Sequence, residues 1–400
     1  MSNAVERLCG REPESGLRPL RPFAPEALDF LSALSATLLK DREAKAYPDV
    51  ITFAYFCRKA HLARLQEEYA GQLDDRLGRG VVFHIAPSNV PINFAYSLAA
   101  ALLSGNGSVV KASSRDFVQT RIVCRAMEKL LAEDFPALAP YVCVVTYPRE
   151  AQDVTERFSA RCHARVIWGG DETVRRVREA ALPPRAVEVA FADRYSLLCI
   201  RPEAVLALSA DELERLAKDF YNDTYLTDQN ACTSPRLIYW AGEREAAAEA
   251  EAGERFFGAV GAYARQRYEL APVVAVDKLT AACRTAMSLE GAEIVTAPDN
   301  WVARVRVKRL CPELYDLRSP GGFFLEYAAP TLDALRDFVT PRVQTLSYLG
   351  FQPEELRHFV LENRLTGIDR IAPVGHTMDF ALTWDGYDLI QTLSRKISAL

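Results

Sequence analysis

Cys232 is the residue in this chain best suited to covalent chemistry. It lies in the polar run Thr227-Asp228-Gln229-Asn230-Ala231-Cys232-Thr233-Ser234-Pro235, immediately before an apolar strand. A loop at a strand's edge gives a nucleophile a rigid base and leaves it reachable. A thiolate both attacks and departs readily in thioester exchange. On burial alone, a cysteine is more often a small apolar core residue, so its neighbours must decide. Three segments offer them. In Pro87-Ser88-Asn89-Val90-Pro91, the Asn89 amide sits between two prolines and could steady the oxyanion formed when a thiolate attacks a carbonyl. The plain alternative is that Ser88 or Asn89 caps the following helix. In Val109-Val110-Lys111-Ala112-Ser113-Ser114-Arg115, Lys111 ends a strand, where nucleotides bind to parallel sheets. A solvated strand-end lysine is its ordinary reading. In Trp168-Gly169-Gly170-Asp171, a strand, two glycines and a helix could receive a phosphate on helix N-terminal amides, or simply form a tight turn.

The elements that must position these residues follow from periodicity. Ser35 to Lys45 and Ala54 to Leu73 have helical spacing, after some forty Pro-rich residues. Val81–Ile85, Ser108–Lys111, Tyr141–Thr146, Arg165–Trp168, Val187–Ala190 and Leu197–Ile200 are short apolar runs that read as strands. Asn93–Leu103 and Phe117–Glu133 read as helices between them, and another helix runs to Glu179. Strands alternating with helices imply a parallel sheet covered on both faces. Beyond Arg201 come a helix, Asp211–Tyr221, the polar loop to Cys232, the strand Leu237–Trp240 and an Ala/Glu-rich helix, Glu243–Arg267, read as a solvated face. The expected division is a cofactor domain over 1–205 with an N-terminal helical segment, and a catalytic domain over 206–400 that includes the closing segment.

Composition narrows the functional class. The chain has 400 residues, 49% hydrophobic and 25% charged, with a formal net charge of −5. It shows no basic stripe, so nucleic acid is not expected as a partner. The longest apolar stretch, Ile92 to Leu103, is about twelve residues, too short for a bilayer span. No basic segment followed by an apolar run opens the chain, and a cytoplasmic location is expected. The nine cysteines and five histidines are dispersed, without CxxC or HExxH, so neither a disulfide framework nor a metal site is expected.

Taken together and in order, these segments resemble the aldehyde dehydrogenase superfamily, and more closely its LuxC-like acyl-CoA reductase branch. Phe83 to Pro91 looks like that branch's strand and oxyanion-Asn segment, and Val110 to Ser114 like its cofactor-Lys segment. Val166 to Glu172 is similar to its WGG-type turn, and Asp228 to Pro235 to its DQxACxSP-type nucleophile loop. Asp369-Arg370-Ile371-Ala372-Pro373-Val374-Gly375 and Trp384-Asp385-Gly386 also match. The resemblance covers roughly residues 80 to 400. It implies an α/β fold, with a Rossmann-type parallel-sheet cofactor domain and a second α/β catalytic domain. It makes Cys232 the nucleophile and Asn89 the oxyanion donor. Lys111, Ser113, Ser114, Arg115, Gly169 and Gly170 become cofactor contacts. Many NAD-specific aldehyde dehydrogenases carry Glu three residues after the lysine. Ser114 stands there, followed by Arg115, so NADPH is expected, with NADH as the alternative. The superfamily's ELGG general base has only Val187-Glu188-Val189-Ala190-Phe191 as its nearest match, which lacks the glycines, and Glu188 could equally be a structural carboxylate.

The implied activity is reduction of an acyl thioester, acyl-CoA or an acyl group from a partner, to the aldehyde through a Cys232 acyl-enzyme. Reduction needs no activated water, so a degenerate base segment is compatible with it. An acyl-activating synthetase is an implied partner, and a homo-oligomer is expected. Two alternatives stand beside this reading: an aldehyde dehydrogenase, which would need a base for hydrolysis, and a non-catalytic acyl carrier, which would bind no cofactor.

Overall fold

The computed structural model describes residues 5–14, 16–242 and 246–399. They form two compact units. One is the chain up to Ala192, rejoined by the residues from Phe380 onward; the other is Asp193–Asp379.

The first unit is built from β1 (Glu6–Gly10), β2 (Arg76–Gly78), β3 (Val81–Ile85), β4 (Gly107–Lys111), β5 (Val142–Thr146), β6 (Ala164–Trp168) and β7 (Val187–Phe191). Its main sheet has the order β1-β5-β4-β3-β6-β7, with β3 to β7 parallel and β1 antiparallel at one edge. The central strands are near-continuous apolar runs because both faces are covered. The helix Asn93–Leu103 buries every residue from Phe94 to Leu103. A helix apolar all round belongs inside a fold. Gly105 ends its connection at φ +85, where a Cβ would strike the Leu20 carbonyl.

The second unit holds β8 (Tyr195–Ile200), β9 (Pro235–Ala241), β10 (Glu293–Val295), β11 (Ala303–Arg306), β12 (Phe323–Ala329), β13 (Val343–Leu349) and β14 (Arg370–Pro373). Its order is β10-β11-β12-β9-β8-β13-β14, parallel except for the edge strand β10.

The two units differ from the expected division in a way that has a physical cause. β8 pairs with β9 and β13, so the chain has already entered the second sheet at Tyr195. The closing segment belongs with the first unit because Ser394–Lys396 pairs with β2. Asn106 locks it there. Its Nδ2 donates to the Leu393 carbonyl at 2.9 Å, while its Oδ1 accepts from the Arg79 and Gly80 amides. Other differences are local. The first long helix runs Pro25–Lys40, with proline at its first turn. The expected helix from Ala54 divides into Pro48–Phe56 and Lys59–Glu68, because Arg58 is extended. The Ala/Glu-rich helix is described from Ala246 to Arg267. Its expected start at residues 243–245 lies outside the described residues. It is not a solvated face throughout, since Ala252, Phe256, Val260 and Ala264 are buried in the core.

Candidate functional site

In the first unit, the chain runs outward from β3 through β4 to β5, then returns to lay β6 on the other side of β3. The switch point between β3 and β6 is where open α/β sheets bind ligands, beyond the strands' carboxyl ends. The loops there are those the sequence singled out. Lys111 ends β4, opposite Ile85 of β3, which in turn is opposite Ile167 of β6. Its ammonium lies 5.0 Å from the centre of the Tyr147 ring, a cation–π distance. Burial pulls its pKa below the usual lysine value, with Glu150 partly opposing. Ser113 folds the next turn, its Oγ accepting from the Arg115 amide at 3.0 Å. Ser114 and Arg115 are exposed. Arg115 is outside the next helix, Val118–Glu133, whose cap is Phe117.

Asn89 is exposed on the loop after β3. The following helix starts at Asn93 with Ile92 in the cap position and no side-chain cap, so neither Ser88 nor Asn89 caps it. The two glycines after β6 differ in role. A Cβ on Gly169 would press into Thr173 at 2.9 Å, whereas one on Gly170 would meet nothing within 4 Å. Gly169 is therefore small for packing, and Gly170 leaves the backbone open to approach. Asp171 and Glu172 occupy the first helical turn and already answer the helix dipole. An anion on that helix axis would meet their charge.

Glu188 stands apart. It is the second residue of β7, in the row of Arg165, three residues before the carboxyl end of the strand, the side where the other candidates lie. Its Oε2 accepts from Arg165 Nε and Nη2 at 2.7 and 2.5 Å, and its Oε1 from Arg178 Nε at 2.7 Å. The Arg165 side chain is 3% exposed and that of Glu188 16%. Arg165 also donates to Ser159 Oγ and to the Val177 and Ala180 carbonyls. Both oxygens of Glu188 are thus engaged in an ion-pair cluster, the arrangement of a structural carboxylate.

In the second unit, Cys232 lies just before β9 and is partly exposed. Seven of the nine cysteines are buried; besides Cys232, only Cys283 reaches the surface, exposed on the helix Pro272–Ser288. Burial raises the thiols of Cys143 and Cys162 to about 12, which removes them from nucleophilic chemistry at neutral pH. The Cys232 loop is tightly held. Its carbonyl accepts from Ser196 Oγ at 2.6 Å, and Thr233 Oγ1 contacts Met378 Sδ at 3.1 Å. Arg236, buried at the start of β9, donates to the Gln229 carbonyl. Arg236 and Arg318 both lie within electrostatic reach of Cys232, and Arg318 pairs with Asp193. Cationic surroundings favour a thiolate. Gln229, Ser196, Arg236 and Arg318 carry no role in the sequence pattern alone. Gln229 and Arg236 are the two whose nearness to Cys232 is a sequence signal.

The candidates therefore form two groups. Asn89, Lys111, Ser113, Ser114, Arg115, Gly169 and Gly170 gather at the carboxyl edge of the first sheet, and Cys232 with its arginines lies at the amino end of β9. Among the described residues, no group of three or more His, Cys, Asp or Glu could hold a metal ion. No described helix is long and apolar enough to cross a membrane.

Comparison with known proteins bears on family and fold. The acyl-CoA reductase (LuxC) family model matches residues 56–396. A long-chain acyl-protein thioester reductase of Aliivibrio fischeri is 27% identical over 168 residues, which is 41% of this chain and 33% of that protein. Its counterpart in Vibrio harveyi is 26% identical over 168 residues, 42% of this chain and 33% of the relative. The matched stretch thus spans about a third of these relatives' length. Among solved structures, an NAD-dependent benzaldehyde dehydrogenase from Corynebacterium glutamicum is similar with a TM-score of 0.63 and 14% identity, covering 98% of this chain and 96% of that one. Aldehyde dehydrogenase 21 from Physcomitrella patens gives 0.63 and 13%, covering 92% and 84%. These structures show that the fold is that of the aldehyde dehydrogenases.

Proposed function

Because this chain belongs to the acyl-CoA reductase (LuxC) family, we propose that it reduces an acyl thioester to an aldehyde through an acyl group carried on Cys232. The observation that carries this reading is the clamped, partly exposed Cys232 loop, held by Ser196 and Arg236 at the amino end of β9. The Cys232 thiolate attacks the thioester carbonyl, the oxyanion collapses, and the donor thiol leaves as the Cys232 thioester forms. Asn89 is assigned the amide that receives the oxyanion. After reduction to the thiohemiacetal, its hydroxyl proton is lost, the carbon–sulfur bond breaks, and Cys232 departs as thiolate.

The family's activity implies a nicotinamide cofactor, and the first unit's sheet edge fits one. Lys111 offers a partly desolvated ammonium and Gly170 an open backbone at the switch point. When bound, the nicotinamide supplies the hydride that reduces the acyl group. Ser113, Ser114 and Arg115 are assigned to the adenosine end, and the absence of a carboxylate at Ser114 supports NADPH over NADH. The engagement of both Glu188 oxygens supports the reductive direction over aldehyde oxidation, which would need a free base to activate water. The donor is assigned as acyl-CoA or an acylated protein such as an acyl-activating synthetase.

The test is incubation with acyl-CoA in the absence of cofactor, peptide mapping of the acyl group, then addition of NADPH. The acyl group should map to Cys232 and leave as aldehyde, and the Cys232→Ala variant should do neither. Acylation at a different cysteine, or aldehyde formation by Cys232→Ala, would overturn the assignment.

A further inference from the structure

The position of the Cys232 loop depends on a side chain that has no reactive group. Gln229 is fully buried three residues before Cys232. Its Nε2 donates to the carbonyls of Pro235 and Phe323, both at 3.0 Å, and its Oε1 accepts from the amides of Gly322 and Phe323 at 3.0 and 3.1 Å. A primary amide has two N–H donors and an oxygen with two lone pairs, so all four of its sites are filled. The bond to Pro235 closes the loop that contains Cys232. The bonds to Gly322 and Phe323 tie that loop to the start of β12, the strand beside β9. Asp228 and Gln229 are held in the left-handed region, at φ 50 and 58. Non-glycine residues stay there only when the surroundings over-determine them.

The receiving turn is itself fastened from the far side. Lys278, 1% exposed on the helix Pro272–Ser288, donates to the carbonyls of Asn300, Trp301 and Gly321. Gly321 returns its amide to the Asp228 carbonyl at 3.1 Å. At Gly322, with φ +95, a Cβ would overlap Tyr225 and the Trp301 carbonyl, so only glycine fits this turn.

From this arrangement we infer that Gln229 is a positioning residue for the Cys232 thiol, and that Lys278 supports it through the Gly321–Phe323 turn. The inference rests on Cys232 being the reacting nucleophile. Its physical content is that the four bonds of the amide fix the loop that carries Cys232 against β9 and the start of β12, within electrostatic reach of Arg236 and Arg318. Arg236 also donates to the Gln229 carbonyl, so releasing Gln229 loosens that guanidinium too. Arg318 shares its charge with Asp193.

Gln229→Glu makes a conditional version of the clamp. Protonated, a glutamic acid keeps one donor and the accepting oxygen; ionised, it loses both donors and faces two carbonyls with a negative charge. The full chain is alkylated with iodoacetamide and each cysteine is followed by peptide mapping. Cys283, exposed on its helix, serves as the internal reference, and the seven buried cysteines report general opening. At pH 8 the Cys232 to Cys283 rate ratio of Gln229→Glu should fall about tenfold or more below that of the native chain, given that a 1 Å misplacement costs up to about a hundredfold. The ratio should return toward the native value, measured at the same pH, as the introduced carboxyl protonates. Lys278→Met should show a smaller fall without recovery at low pH. An unchanged ratio in Gln229→Glu overturns the inference, as does a fall accompanied by alkylation of the buried cysteines. Should Gln229→Glu fail to fold, an unchanged ratio in Lys278→Met overturns it instead. A changed ratio in a protein whose native form makes no aldehyde would leave the clamp standing and remove the proposed function.

Discussion

Replacing Glu188 with Gln separates a structural carboxylate from a general base. The substitution leaves Arg165, 3% exposed, without its anionic partner, while its bonds to Ser159, Val177 and Ala180 remain. Removing one member of a buried ion pair costs about 3–5 kcal/mol, because the other charge stays buried and uncompensated. The 16% exposure of Glu188 lets water reach one side of the pair, so the lower end, about 3 kcal/mol, applies. Arg178 is 58% exposed, and losing its contact adds at most about 1 kcal/mol. Urea unfolding reads this directly. Trp168 stacks on Phe191 in the same unit and provides a fluorescence signal there. With a slope of about 2 kcal/mol per molar, the midpoint should drop by about 1.5 M. Aldehyde formation per folded molecule should stay within about twofold, since the group is three residues from the strand's carboxyl end and its oxygens are held in the ion-pair cluster. A second arm strengthens the test: Glu188→Leu combined with Arg165→Met should recover much of the lost stability, as apolar replacement of buried pairs often does. A stability loss under about 1 kcal/mol together with abolished turnover would refute the structural assignment and return Glu188 to the reaction.

Asn89→Ala should slow aldehyde formation by ~10²–10³, the loss typical of one oxyanion donor, with stability changed by no more than about 0.5 kcal/mol, since Asn89 caps no helix. Unchanged turnover measured beside urea unfolding would remove it from the site. Ser114→Glu should cut NADPH use far more than NADH use, by repelling a 2′-phosphate, and Arg115→Ala should do so more weakly because Arg115 is exposed. A cofactor ratio that does not move, or a native preference for NADH, would defeat the NADPH assignment. His84 is fully buried between Ser97 and Ser108, and burial lowers its pKa from 6.5 to about 3. A lowered folded pKa means stability is fully present above pH 6.5 and is lost as the pH falls toward 3, where the unfolded chain binds the extra proton. Between pH 7 and 4 this amounts to about 3 kcal/mol. In His84→Gln that portion of the acid sensitivity should vanish from urea midpoints taken across the range; an identical pH profile would show that His84 does not supply it.

The sequence by itself determined the elements that are locally encoded. Val81–Ile85 and Asn93–Leu103 are where apolar runs and Gly/Pro punctuation place them, because strand and helix periodicities are short-range signals. It also marked Cys232, since a polar loop ending in an apolar strand is visible within nine residues. What it could not contain is who meets whom across the sheets. Glu188 is a plausible base in its own segment, yet Arg165, on the neighbouring strand, and Arg178 occupy its oxygens. Gln229 has no local signature of a clamp, because Phe323, which both donates to and accepts from it, lies 94 residues further along the chain. The closing segment returns to the first unit through Asn106 and β2, a pairing across more than half the chain that no local pattern announces. In each case the deciding partner is brought near by strand order and burial. Those are set by how whole faces pack, and a buried charge or amide then takes the role its enclosed partners leave open.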